Sequence, residues 1–152
     1  MDHEFQSPEL ETAVTELSRL PGVGRKTALR LALHLLRRDA AEANALGMAI
    51  INMRNNVKYC RECHNISPGD ICSICASPTR DHSIVCVVEN VNDVMSIERT
   101  GEYSGVYHVL GGVISPMDGI GPDMLQIQSL IDRVKQGNVT EIILALGATM
   151  EG

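Results

Sequence analysis

Four cysteines stand in two equal spacings, Cys60-x-x-Cys63 and Cys72-x-x-Cys75, with eight residues between the pairs. Each pair folds into a tight knuckle presenting two thiolates, and two such knuckles meet the needs of one tetrahedral zinc ion. The intervening Ser67-Pro68-Gly69-Asp70 reads as the turn that folds one knuckle onto the other. A thioredoxin-like redox pair needs only one CxxC; an iron–sulfur cluster uses the same four ligands and is the alternative to zinc. Four thiolates fill the shell and leave no open position for substrate, so the expected ion is structural, holding together a segment too short to own a core. With the shell full, His64 reads as a solvated loop histidine. Cys86, in an apolar run, reads as a small buried hydrophobe.

A second chemistry is available at Leu20-Pro21-Gly22-Val23-Gly24-Arg25-Lys26, where glycine lets a phosphate approach the backbone. No strand precedes these glycines, which counts against a dinucleotide-binding turn. The P-loop spacing also fails, because position 19 is Arg and Gly24 is followed by Arg25 rather than Lys. Helical spacing on both sides leaves a helix, a hairpin with Val23 as an apolar plug, and a second helix with an open N-terminus. Such a hairpin offers backbone N–H groups and nearby cations to a nucleic acid phosphate. The candidate DNA contacts are Gly22, Gly24, Arg25, Lys26, Arg30 and Arg37; Lys26 and Arg30 are spaced i, i+4, and Arg37 lies near that face two turns on. The plainer alternative is a structural turn that happens to precede basic residues.

Charge distribution favours the phosphate reading. The whole chain carries a net charge of -6 with a pI near 5.3, which argues against a nucleic-acid binder. Yet Leu17 to Arg38 holds six basic residues and no acidic one, whereas residues 39–152 carry seven basic against fourteen acidic. A small cationic patch is attached to an acidic body. One Phe, three Tyr and no Trp leave little for a base-stacking platform, so the grip expected is on the backbone and independent of base sequence. No apolar run approaches the roughly 18 residues of a membrane span. The acidic start MDHEFQSPEL lacks a secretory pattern, which implies a cytoplasmic, reducing setting where cysteines serve as metal ligands.

These residues must be positioned by the elements around them. Ser7 as N-cap and Pro8 open a helix to Leu20, with Leu10, Ala13, Val14 and Leu17 at helical spacing. A second helix runs from Arg25 to Arg38 with Ala28, Leu29, Ala32, Leu33 and Leu36 as its buried stripe. A third, Asp39 to Val57, is expected to close over the first two through Ala43, Leu46, Ile50, Ile51 and Met53. Beyond the cysteines, residues 83–90 and 141–147 read as buried strands and 103–111 as a strand with its loop. Asn92–Arg99 and Met124–Gln136 read as the helices between them. That β-α-β-α-β order predicts a small parallel sheet, whose strand C-termini draw attention to Glu89 and to the Gly-Ala-Thr-Met-Glu-Gly segment with Glu151.

In this order, LSRLPGVGRKTALRLALHLL, the four-cysteine knuckle and RDHSIVCVVENVNDVMSIERTGEYSGVYHVLGGVISPMDGIGPDML resemble the bacterial RecR recombination-mediator family over nearly the whole chain. The resemblance implies an α+β protein of three modules: a helix-hairpin-helix bundle at 1–57, a four-cysteine zinc finger at 58–80 and a Toprim domain with a Rossmann-like parallel sheet at 81–152. It implies a non-enzymatic, nucleoid-associated mediator of recombinational repair. Such a protein forms a ring-like homo-oligomer, a dimer or tetramer, around DNA and works with RecO, and in some bacteria RecF. Together they load RecA onto gapped DNA coated by single-strand-binding protein. Lys26 and Arg30 fall at the family's DNA-supporting positions, and Glu89 and Glu151 at acidic positions that contribute to the RecO contact. Arg25 stands where many relatives have proline. The family's Toprim domain continues past residue 152, so the sheet is expected to be incomplete, with an exposed edge and weakened oligomer contacts. An alternative is a Mg2+-dependent Toprim enzyme acting on DNA as a topoisomerase, primase or nuclease. That chemistry needs a Glu after the first strand and a DxD after a later one; Glu89 fits, but no DxD follows the last strand. A third possibility is a partner-docking protein that uses its acidic body and has no affinity for DNA.

Overall fold

The computed structural model describes residues 6–152; the first five, on which half of the N-terminal leader reading falls, lie outside the described residues. The chain divides into two compact units, Met1–Asn55 and Asn56–Gly152.

In the first unit, α1 (Pro8–Ser18) starts as its sequence demands. The Ser7 hydroxyl accepts from the Leu10 N–H at 3.3 Å, and Pro8 takes the first helical position, where its missing N–H has no consequence. The chain reverses through a tight turn in which the Val23 N–H donates to the Leu20 carbonyl at 3.1 Å. Gly22 there adopts a left-handed φ of 77°. The second helix, α2 (Arg25–Leu36), packs on α1 through Val14, Ala28 and Ala32, with Leu10, Leu17, Val23 and Leu29 around them. Val23 is therefore the plug the spacing suggested, and the two alanines let the helices approach closely.

The predicted buried stripe of α2 runs too far, since Leu33 is 39% and Leu36 68% exposed. The third helix, α3 (Ala40–Asn56), forms but buries no residue. Leu46, Ile50, Ile51 and Met53 are all exposed, so it does not close over α1 and α2. Periodicity specifies an apolar face; it does not specify the surface that covers it.

The second unit opens with a two-rung antiparallel hairpin, β1 (Lys58–Tyr59) and β2 (Ile66–Ser67), and a single helical turn, α4 (Ser73–Ala76). A parallel sheet follows, built from β3 (Asp81–Val88), β4 (Gly105–Val109) and β5 (Glu141–Ala145) in the order β4-β3-β5. Helix α5 (Val91–Glu98) connects β3 to β4. Helix α6 (Ile127–Lys135) carries the chain from β4 to β5 on the other side of β3. Alternation along β3 explains its unbroken apolar run: Cys86 and Val88 face α5 with Val94, while Val85 and Val87 face α6 with Leu130. Cys86 is buried as expected. Strand β5 is not the buried strand predicted: Ile142 and Ile143 are about two-fifths exposed and Leu144 is 68% exposed, because among the described residues β5 has a neighbour on one side only.

Two polar networks hold this unit. Arg80 donates to both carboxylate oxygens of Glu98 and to the Tyr103 and Gly105 carbonyls, and the Tyr107 hydroxyl donates to Glu98 at 2.6 Å. The hydrogen bond from Arg80 holds the Glu98 carboxyl below its usual range. His108, fully buried on β4, donates from Nε2 to the Gln126 carbonyl at 2.8 Å and turns Nδ1 toward the Arg133 guanidinium at 3.4 Å.

Burial pushes His108 down to about 4, against the ordinary imidazole value near 6.5. The neutral ring is favoured in the folded state. The unfolded chain therefore takes up the proton first, and stability is lost as pH falls from about 6.5 toward 4. Chemical denaturation of wild type and His108→Phe between about pH 7.5 and 4.5 should show the variant with the shallower decline, the difference reaching on the order of 2 kcal/mol.

Candidate functional site

The cysteine cluster is assembled by two turns of matching hydrogen bonding. The His64 N–H donates to the Cys60 carbonyl at 2.8 Å, and the Ala76 N–H donates to the Cys72 carbonyl at 2.9 Å, closing each CxxC. The Cys75 N–H points at the Cys72 sulfur, 3.4 Å away. The Ser67–Asp70 turn then joins the knuckles: the Gly69 N–H donates to the Ser67 hydroxyl and the Arg61 N–H to the Asp70 carbonyl. All four sulfurs are buried and lie within 4.8 Å of one another, with Cys63 and Cys72 3.6 Å apart. A tetrahedral ion with Zn–S bonds of about 2.3 Å needs sulfurs about 3.8 Å apart, so the four residues fit zinc.

The electrostatics agree with a cation site. The hydrogen bond from Cys75 pulls the Cys63 thiol down to about 6, whereas burial pushes Cys72 up to about 11 and the bond to Cys63 raises Cys75. Four buried thiols at this spacing share protons until a cation allows all to ionise. Among the described residues, no other group of three or more His, Cys, Asp or Glu side chains gathers around a point.

His64 is not a solvated loop residue. It is half-buried, and its Nε2 lies 2.6 Å from the Ser129 hydroxyl of α6, sharing a hydrogen bond. Its ring meets His108 edge to face, with centroids 5.1 Å apart. Burial lowers its pKa, with the Arg133 charge acting in the same direction. Adjacency to Cys63 hid this role, since the partner is 65 residues away in the chain.

The hairpin glycines sit at an open helix end. Gly24 is the N-cap of α2 and has no side chain to cap it, so the first amides of Arg25, Lys26 and Thr27 face outward. Lys26, Arg30 and Arg37 are exposed, and none of their side chains has an ion-pair or hydrogen-bond partner among the described residues. Arg19 and Arg38 do not add to this patch. Arg19 pairs with Glu16 at 3.0 Å and Arg38 with Glu42 at 2.7 Å, so the acid-free run is partly neutralised by acids just outside it.

Glu89 and Glu151 are placed differently. Glu89, after β3, accepts from the Gly147 N–H beyond β5 at 3.0 Å, and a Cβ on residue 147 would come within 3.2 Å of the same oxygen. Glu151 is exposed and makes no side-chain hydrogen bond among the described residues.

A helix-hairpin-helix, a four-cysteine metal knuckle and a parallel sheet bearing a glutamate at its central strand end define a modular nucleic-acid-binding protein. Family models match the three parts in turn: the RecR helix-hairpin-helix over residues 10–54, the RecR four-cysteine zinc finger domain over 57–77 and the Toprim domain over 83–152. Curated proteins named Recombination protein RecR align along the chain. That of Parabacteroides distasonis is 61% identical over 152 residues, covering all of this chain and 73% of its own length. That of Bacteroides thetaiotaomicron is 60% identical with 74% of its length covered. The Flavobacterium johnsoniae protein is 54% identical over 149 residues, 98% of this chain and 72% of its own. The chain belongs to the RecR family, and its four clustered cysteines are the ligands of one structural zinc.

Removal of zinc should unfold residues 60–76, because apparent binding energies of about 10–16 kcal/mol at such sites are folding energy. Chelation is expected to make all four thiols react rapidly with a thiol reagent, whereas in the loaded protein they react slowly. Cys75→Ser should show the fast reaction at its remaining thiols without chelator.

Proposed function

We propose that this protein is a DNA-binding mediator of recombinational repair without catalytic activity of its own. The relatives carry the name of a recombination protein, and the observation that carries the reading is the open N-terminus of α2 with Lys26 and Arg30 one turn apart and unpaired among the described residues. A phosphate seated there meets backbone N–H groups, the positive end of the helix and two cations. Gly22 and Gly24 supply access, and Arg25 and Arg37 extend the positive face. None of these groups reads a base, so binding is sequence-independent and falls steeply with salt.

In this reading the protein acts with RecO, and with RecF where present, to load RecA onto gapped DNA coated by single-strand-binding protein, in the nucleoid of the cytoplasm. Glu89 and Glu151 mark the RecO-facing surface. The three working parts divide at 57/58 and 80/81. Several copies act together around one DNA: a grip of two or three cations is weak alone and becomes strong when arrayed. The exposed apolar residues of α3, Leu46, Ile50 and Met53, support a homo-oligomer, since a second copy would cover them. The loop after β5, residues 147–152, holds no DxD and a single carboxylate, Glu151, which favours a binding role over Mg2+-dependent strand chemistry.

The experiment is DNA binding by wild type and the Lys26→Ala/Arg30→Ala double variant across a salt series. The variant should lose affinity by roughly tenfold or more at low salt, and the slope of log K against log salt should fall by about 2. Equal affinity and slope would remove the hairpin from DNA binding and leave the partner-docking alternative. Nicking or relaxation of supercoiled DNA by purified protein with Mg2+ would instead support the enzyme reading.

A further inference from the structure

His64 adopts φ of 64°, a left-handed conformation that glycine takes freely and a histidine takes at a cost. The turn of the first knuckle imposes it, because the His64 N–H closes that turn on the Cys60 carbonyl. From this backbone position the ring reaches Ser129 of α6 and His108 of β4. Its Nε2 shares a hydrogen bond with Ser129 at 2.6 Å, and its ring packs on the edge of His108. The peptide immediately before it is held as well, since the Cys63 carbonyl accepts from the Val109 N–H at 2.8 Å as a continuation of β4. On its other side the same residue is bound through Cys60, whose carbonyl accepts the His64 N–H at 2.8 Å. The residue is thus fixed on one side by the metal knuckle and on the other by the sheet and its crossover helix.

Helix α6 has other holds: the N–H of its N-cap Gln126 donates to the Leu110 carbonyl at 2.9 Å, and the Gln126 carbonyl accepts from His108 at 2.8 Å. Ile127 and Leu130 pack against Val85, Val87 and Val106, and Arg133 donates to the Tyr107 carbonyl at 2.6 Å; Ile131 is exposed. Among the described residues, Ser129 has no side-chain partner except His64.

We propose that His64 is a positioning residue that couples the ligated state of the four cysteines to the order of α6. While the knuckle is closed around its ion, Cys60 and Cys63 hold His64 in the left-handed conformation and the ring clamps Ser129. When the knuckle opens, His64 relaxes to an ordinary conformation and the clamp on α6 is released. The consequence reaches far along the chain from Cys75, into the segment that delivers β5 to the sheet.

The test is amide hydrogen exchange of the full chain, zinc-loaded and chelated, read separately over residues 60–76 and 127–135. Metal occupancy is followed in parallel by the thiolate-to-cobalt absorption of the Co2+ form. In wild type, chelation should raise exchange over 127–135 by roughly three- to tenfold, the weight of one net hydrogen bond. His64→Asn tolerates the left-handed backbone but is too short to reach Ser129. It should bind the ion at least as tightly as wild type, yet exchange over 127–135 like the chelated protein. His64→Gln places an amide where Nε2 lies and should restore protection. Ser129→Ala cuts the clamp from the side away from the metal and should match His64→Asn, so it decides the matter even if a His64 variant fails to load. Equal α6 exchange in loaded and chelated wild type would overturn the coupling. So would full α6 protection in loaded Ser129→Ala.

Discussion

Four sulfur atoms buried within 4.8 Å of one another cannot all carry charge unless a cation sits among them, and the 56–152 unit is organised around that requirement. A two-rung hairpin and a one-turn helix hold too few hydrogen bonds and too little apolar surface to fold alone. Ligation supplies what they lack, and the folded knuckles then serve as packing surface. Ile74, between Cys72 and Cys75, touches the cysteine cluster and both faces of the sheet core. The metal segment is therefore part of the sheet's core rather than an appendage, and the Cys63 carbonyl extends β4 by one hydrogen bond.

The sheet returns support in the other direction. Because β3 is covered on both faces and flanked on both edges, it is the rigid member against which α5 and α6 are set. Arg80 at its start reaches Glu98 at the end of α5, so the exit from the zinc segment and the end of the first crossover are pinned together by a charge-assisted pair. At the opposite end, Glu89 holds the chain leaving β5 through the Gly147 amide. That hydrogen bond makes Glu89 a structural anchor of the β5 loop.

The helix-hairpin-helix unit works by different physics. Its core is three residues deep, and it leaves the first amides of α2 without a side-chain cap and Lys26 and Arg30 without a carboxylate partner among the described residues. Such groups are stable in water and gain from any phosphate that replaces water. The same patch is confined to a few residues by the Arg19–Glu16 and Arg38–Glu42 pairs, which neutralise its ends. On a chain of net charge -6, the DNA grip proposed for so small a patch rests on local placement rather than on bulk attraction.

Local rules determined much of this protein. The CxxC spacing, the Ser7-Pro8 cap, the Gly22 and Gly24 hairpin and the β-branched run of β3 each encode geometry through contacts a few residues apart, and each stands where its residues predict it. Tertiary structure alone decided the rest. Whether Leu33, Leu36 and the α3 stripe are covered depends on a neighbouring surface, not on their own period, and β5 is exposed because among the described residues it pairs only with β3. His64 changed from a loop residue to a clamp because Ser129, 65 positions away, was brought within 2.6 Å by the crossover of α6. Spacing of types along the chain fixes which ion and which phosphate chemistry are possible. Only the fold decides which side chains share that chemistry across the chain, since packing is set by distance in space and not by distance in sequence.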